Sequence, residues 1–298
     1  MRSHILATTA LALSLYLALP LASTSALADM QDQHSHIEVV PATAVDYQPL
    51  NPARGDASPQ AGVLWGDIRQ DVPTGTIIKF APDFSSPPHI HNITYRGVVL
   101  TGAVHNDDPK AENMWMGPGS FWTQPAGESH ITAAKPGPDG ASAFLEILEG
   151  PYLVQPASEA FHNGEHPVNL EAGNVIWIEA SDISWVHASP ADDTGTAGTS
   201  AELAFLWGEP KDGSKNGSFV KLTEGFAGTL TGNDDWLRSV VIQGQITHQV
   251  TDVTESAQLE PGSYFGAGQS TTHNIQCTAN QDCILYISTT GKYAVTAD

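Results

Sequence analysis

Basic residues are scarce in this 298-residue sequence: 12 Lys and Arg stand against 33 Asp and Glu, for a formal charge of −21. That balance excludes a protein that neutralises phosphates over a broad surface, so nucleic acid and anionic membrane are poor partners. Cysteine is almost missing, with two residues, too few for a small disulfide-stapled scaffold. Beyond residue 28 no apolar stretch approaches the roughly 20 residues that cross a bilayer. No window sustains the period of an amphipathic helix. Charged residues are 15% of the chain and apolar ones 41%, with 27 Gly and 20 Pro spread throughout. This is a turn-rich globular composition rather than a disordered one, and 298 residues at about 150 per domain suggest two domains.

What is present begins with an address. Arg2 and His4 precede an apolar run from Ile5 to Leu21, interrupted by Thr8, Thr9, Ser14 and Pro20, and the small-residue ending Ala26-Leu27-Ala28 follows. Residues 1–28 read as a secretory signal cleaved before Asp29, in preference to an uncleaved anchor. The mature chain is therefore expected to be periplasmic or secreted, with no membrane contact after cleavage.

The chain also repeats itself. At an offset of 142, Leu64-Trp65-Gly66 aligns with Leu206-Trp207-Gly208 and opens a stretch of 39 ungapped positions with ten identities in all, among them Gly75 with Gly217, Lys79 with Lys221, Arg96 with Arg238 and Gly102 with Gly244. Upstream, Ile37–Val40 resembles Val175–Ile178, with the difference absorbed by an insertion between Pro190 and Thr199. Short apolar runs such as Thr76–Phe80 and Ile284–Ile287 are punctuated by Gly, Pro, Asn and Asp. The pattern predicts an all-β protein of two copies, each a jelly roll or small barrel, at residues 29–160 and 161–298.

The first copy carries the chemistry. His89 and His91 are two apart on a strand-like segment, so both imidazoles face one way. Gly119, five residues, Pro125-Ala126-Gly127, two residues and His130 then supply a third histidine after a turn. Together these segments resemble the two motifs of the cupin superfamily: H-x-H, three or four residues, Glu, six residues and Gly, followed by Gly, five residues, P-x-G, two residues and His. Gly102 falls at the expected place, but Tyr95 stands where the glutamate belongs. Counting both copies, the likeness spans nearly the whole mature chain and is nearest to exported bacterial two-domain cupins of unassigned function. It implies two tandem cupin jelly rolls (double-stranded β-helices), with His89, His91 and His130 as metal ligands. It also implies a small-molecule substrate and, by analogy only, a homodimer.

Three nitrogen ligands with open positions suit Fe(II), Zn, Ni, Cu or Co better than Mg or Ca. By resemblance to three-histidine cupins, Fe(II) and oxidative cleavage by a dioxygenase are favoured. The alternatives are a redox-neutral lyase or isomerase in which Tyr95 moves the proton, and a non-catalytic carrier or sensor of a ligand or metal. Tyr95 ligates or acts as a base in one reading, and packs with Trp115, Phe121 and Trp122 as a wall in the other. Glu128, two residues before His130, is a replacement carboxylate or a solvated turn residue. His105 lines the mouth or is structural.

In the second copy, offset 142 sets Thr231 and Asn233 against His89 and His91 and Leu237 against Tyr95, leaving only His273 from the motifs. A structural, metal-free partner is expected there. Arg96, Arg238, Trp65 and Trp207 recur in both copies and so read as folding residues. His162 and His166 read as loop residues, and His34 and His36 lie near the new N-terminus. Cys277 and Cys283 bracket a hairpin turn and are expected to pair in an oxidising compartment.

Overall fold

The computed structural model describes residues 37–298 apart from 185, 187–199, 233–235, 252–253 and 269. The leader at 1–28, His34, His36, Asn233 and the insertion at 190–199 lie outside the described residues. Strands dominate, and the described helical pieces are short 3-10 turns. No helix among the described residues is long and apolar enough to cross a membrane. The all-β expectation holds.

Two seven-stranded antiparallel sheets share one strand order. The first runs Val168–Leu170, Phe121–Gln124, Tyr95–Thr101, Ala141–Ile147, Thr74–Phe80, Gln60–Trp65, Tyr47–Pro49. The second runs Ile37–Val40, Tyr264–Gly268, Trp236–Gln243, Cys283–Thr290, Lys215–Leu222, Ala201–Gly208, Ile178–Glu179. The outermost strands are exchanged. Ile37–Val40 pairs with Tyr264–Gly268 in the sheet of the second half, and Val168–Leu170 pairs with Phe121–Gln124 in that of the first. No single cut of the chain therefore separates the two sheets.

The exchange corrects the upstream alignment. Val40 faces Tyr264 and Leu170 faces Phe121, residues at the same sheet position, so Ile37–Val40 is equivalent to the stretch ending at Leu170 and not to Val175–Ile178. The same correction makes sense of the repeated lysines. Lys79 lies 3.6 Å over the Tyr47 ring and Lys221 lies 4.6 Å over Trp177, one cation–π contact per half.

Strand Ala141–Ile147 is buried along its whole length because both its faces are covered. Ala143, Leu145 and Ile147 point into the first jelly roll, while Phe144 joins Trp65, Ile77, Phe219, Tyr264 and Tyr286 in a core between the two sheets. Arg96 crosses to lie 4.0 Å over Trp207, and Arg238 lies 5.4 Å over Trp65. The recurrent Arg and Trp residues thus form reciprocal contacts between the halves. Each Trp also lies flat over a glycine of the neighbouring strand, Trp65 over Gly75 and Trp207 over Gly217, where any Cβ would overlap the ring. Three repeated positions, six residues in all, are explained by one packing motif.

The opposing sheets differ. In the second half five strands form a continuous layer: Ser256–Leu259, Ile246–Val250, Thr272–Cys277, Ala227–Gly232, Tyr293–Ala297. A disulfide joins Cys277 to Cys283. In the first half the layer is two ribbons, Val104–Asp107 with Ile131–Ala134 and His89–His91 with Val154–Pro156. A backbone bridge between His89 and His130 connects them.

Candidate metal centre

The three histidines meet at that bridge. His89 and His130 exchange two backbone hydrogen bonds, each 3.0 Å, which places their side chains side by side. The H-x-H alternation brings His91 to the same face. One ligand atom from each of the three lies within 4.8 Å of the others, and all three residues are buried. No Asp, Glu or Cys joins them among the described residues.

Each imidazole is held from behind by a backbone carbonyl. Nδ1 of His89 lies 2.9 Å from the Pro87 carbonyl, that of His91 2.8 Å from Leu153, and that of His130 3.1 Å from Glu128. A carbonyl only accepts, so Nδ1 carries the proton in all three and the Nε2 lone pair points to the centre. Burial lowers the pKa of all three, with neighbouring imidazoles adding to it at His91 and His130, and takes that of His130 to about 3. All three are therefore neutral near pH 7, the form that ligates. Such carbonyl-fixed tautomers are the outer-shell arrangement of metal-bound histidine.

Two phenols stand over the open side. The Tyr152 hydroxyl lies 3.0 Å from His91 Nε2, and that of Tyr95 3.3 Å from His130 Nε2. Tyr95 is fully buried and donates to Asn106 Oδ1 at 2.9 Å. Asn106 donates to Gln124 at 2.8 Å, and Gln124 donates at 3.1 Å to the Glu128 carbonyl that also holds His130. These bonds and the 3.3 Å approach of Tyr95 to His130 make a ring that returns to the histidine where it began, hydrogen-bonded on every side but that one. Thr132 donates to the same Asn106 oxygen at 2.7 Å.

Of the aromatic residues grouped with Tyr95, Trp122 alone packs on it, edge to face at 6.4 Å. Phe121 turns into the core between the sheets, and Trp115 lies against His105 instead. His105 is fully buried on the strand face opposite Asn106, and neither ring nitrogen has a partner in the structure. Glu128 is half-buried and serves through its carbonyl, with its carboxylate outside the histidine cluster. His162 and His166 have ring centres 5.7 Å apart on an exposed stretch. Sequence reasoning missed Tyr152, Asn106 and Gln124. A cavity of about 170 Å³ opens onto His89, His91, Tyr95 and Tyr152.

The second half keeps the frame and fills the site. Leu230 is paired with His273 as His89 is with His130, so Leu230, not Thr231, occupies the His89 position. That corrects the alignment by one residue and still leaves no imidazole there. His248 lies at the place of Asn106, stacked 4.4 Å from Phe265 and 2.9 Å from His273 Nδ1. Burial lowers the pKa of His248 to about 4 and of His273 to about 3. Unfolded imidazole titrates near 6.5, so between that pH and about 3–4 the unfolded chain binds protons that the folded chain refuses. The stability present above about pH 6.5 is lost as pH falls through this window. A His248→Leu/His273→Leu variant is expected to remove on the order of 5 kcal/mol of the wild-type loss between pH 6.5 and 4, read from urea midpoints at each pH. Parallel curves for the two proteins would refute it.

The sequence pattern of a family described as a domain of unknown function, DUF4437, matches residues 38–296. The chain belongs to the DUF4437 family. None of the curated proteins matches this DUF4437 chain in sequence. Solved structures do match in shape. A Nostoc punctiforme protein provisionally described as a dioxygenase is 14% identical with a TM-score of 0.61, covering 86% of this chain and 84% of its own. YlbA of E. coli, from the DUF861 family, is 12% identical with a TM-score of 0.54, covering 86% of this chain and 91% of its own. The Bacillus subtilis oxalate decarboxylase, a protein with Mn(II) centres, is 10% identical with a TM-score of 0.50, covering 86% of this chain and 77% of its own. At these identities the likeness is one of fold, the cupin jelly roll.

Proposed function

We propose that this DUF4437 protein is an exported two-domain cupin enzyme that holds one divalent transition metal, Fe(II) in the favoured case, on His89, His91 and His130. Its reaction, in this reading, is the dioxygenase-like oxidation of a small organic substrate. The observation that carries it is the convergence of three Nε2 lone pairs, each fixed by a carbonyl behind its ring. A metal bound there would supply Lewis acidity and, as iron, redox chemistry with dioxygen. Three protein ligands leave positions open, the pattern of catalytic rather than structural sites.

The chain's own groups do the rest. Burial pushes the Tyr95 and Tyr152 phenols up, so both keep their protons beside the centre. The Tyr95 proton is committed to Asn106, which leaves the Tyr152 hydroxyl as the donor a substrate oxygen would meet. Asn106 and Gln124 set the direction of the Tyr95 hydroxyl, and the apolar walls exclude water. The disulfide between Cys277 and Cys283 supports export, since such bonds persist in oxidising compartments.

Elemental analysis of mature protein, purified without chelators beside a His89→Ala/His91→Ala variant, tests the reading. About one metal ion per chain, missing from the variant, is the expected result. Iron with substrate-dependent oxygen uptake supports oxidation, and zinc or nickel without uptake moves the site to redox-neutral chemistry. No metal in either protein after reconstitution overturns the proposal.

A further inference from the structure

We propose that Arg54 recognises a carboxylate at the mouth of the histidine cavity, and that the substrate is a small monocarboxylic acid with an apolar body. This rests on the reading of that cavity as the substrate site.

The cavity wall is largely hydrocarbon, with Leu50, Ile78, Phe80, Phe84, Trp122 and Leu145 among its lining. Among the residues that line it, Arg54 is the one Lys, Arg, Asp or Glu. Arg54 is exposed on the turn Pro52–Ala57. That turn is tied down at both ends: the Leu50 N–H donates to Pro59 at 2.8 Å, the Asn51 N–H to the Ser58 hydroxyl at 2.8 Å, and the Ala53 N–H to the Asn51 side chain at 3.1 Å. The guanidinium is thus presented from a pinned loop.

Among the described residues it also lacks a partner. None of the ion pairs or side-chain hydrogen bonds among the described residues uses the Arg54 guanidinium, although acidic residues outnumber basic ones 33 to 12. Asp56, two residues on, lines a neighbouring groove instead. A chain of charge −21 repels anions at long range, but salt screens that field beyond roughly 10 Å, leaving a local guanidinium to decide what enters. Arginine binds carboxylate through two parallel hydrogen bonds.

A single cationic side chain at one end and hydrocarbon along the walls fit one carboxylate on an apolar body, and leave a second carboxylate along those walls without a partner. At about 170 Å³ the cavity is below the roughly 300–1,000 Å³ of drug-sized sites, so the acid has few heavy atoms. In this arrangement the carboxylate stays at the mouth and the far end of the molecule reaches toward Tyr95 and Tyr152. Arg54 is a specificity residue and takes no part in bond making.

The test is calorimetric titration of the mature protein with hexanoate and benzoate against their neutral amides, hexanamide and benzamide. Acids are expected to bind about tenfold or more tightly than amides. The ratio falls to near one in Arg54→Gln and is partly kept in Arg54→Lys. It survives in His89→Ala/His91→Ala, whose metal content is measured in the same preparation. Equal binding of acid and amide, no binding of either, tighter binding of oxalate than of hexanoate by His89→Ala/His91→Ala, or a preference unmoved by Arg54→Gln would each overturn it. If the native protein holds no metal yet shows an Arg54-dependent preference, the metal reading fails and the carboxylate reading stands.

Discussion

His130→Ala is expected to lower metal affinity by well over a hundredfold and to bring the metal content of the purified protein close to zero. Loss of one outer-shell partner typically costs about 10–100-fold in affinity, and His130 is one of only three ligand groups in the cluster. It also ends the hydrogen-bonded ring through Tyr95, Asn106 and Gln124. Gln124→Leu is the graded comparison. It frees one donor from the Glu128 carbonyl and one acceptor from Asn106 but leaves every ligand in place, so a loss within about 10–100-fold is expected. Competition against a chelator of known affinity reads both. Equal metal retention by His130→Ala and wild type would remove His130 from the centre. Equal losses in the two variants would show that the ring acts as one unit with its histidine.

Legibility followed the range of each contact. His89, His91 and His130 stand in short local patterns, where strand alternation and a turn are enough to aim a side chain. Tyr152 carries no such pattern and reaches His91 across 61 residues through the folded chain. Asn106 and Gln124 read as ordinary polar strand residues until the sheets place both beside Tyr95. Arg54 lies in a turn whose sequence says nothing of the cavity it borders. The recurrent Trp65, Gly75 and Arg96 were visible as a repeat, but their reason lies in the packing of one half on the other. The strand exchange was the hardest feature to foresee. Pairing between the ends of a repeat leaves no periodicity, and the match of Ile37–Val40 to Val175–Ile178 rested on apolar character alone.

Tyr286→Phe is expected to destabilise the whole unit Ile37–Asp298, although it lies outside the histidine site. The Tyr286 hydroxyl donates to Glu146 Oε2 at 2.6 Å and accepts from Trp207 Nε1 at 2.8 Å, joining the two halves through their shared core. Glu146 is fully buried, and burial pushes its pKa up against the donors Ser288 and Tyr286 and the charges of Arg96 and Arg238. Removing the hydroxyl leaves one buried acceptor and one donor short of a partner while the ring keeps its packing on Phe144 and Phe219. The cost is on the order of 3 kcal/mol, which at about 2–4 °C per kcal/mol for a unit of this size lowers Tm by about 6–12 °C. The pH dependence has a definite sign. A carboxyl whose folded pKa is raised binds its proton more tightly in the folded state, so its contribution falls as pH rises from about 4.3 through the folded value. Tyr286→Phe removes a donor to the ionised form, so its deficit is larger at pH 8 than at pH 5. Glu146→Gln in the same background removes that difference, and a double-mutant cycle measures the coupling. A Tm within about 2 °C of wild type at both pH values would show that this buried hydroxyl does not hold the halves together. The effect extends to the histidines. Glu146 and Ile147 pair with Arg96 and Tyr95, so the strand fixed by this buried carboxyl is the one that holds the Tyr95 backbone in register beneath His130.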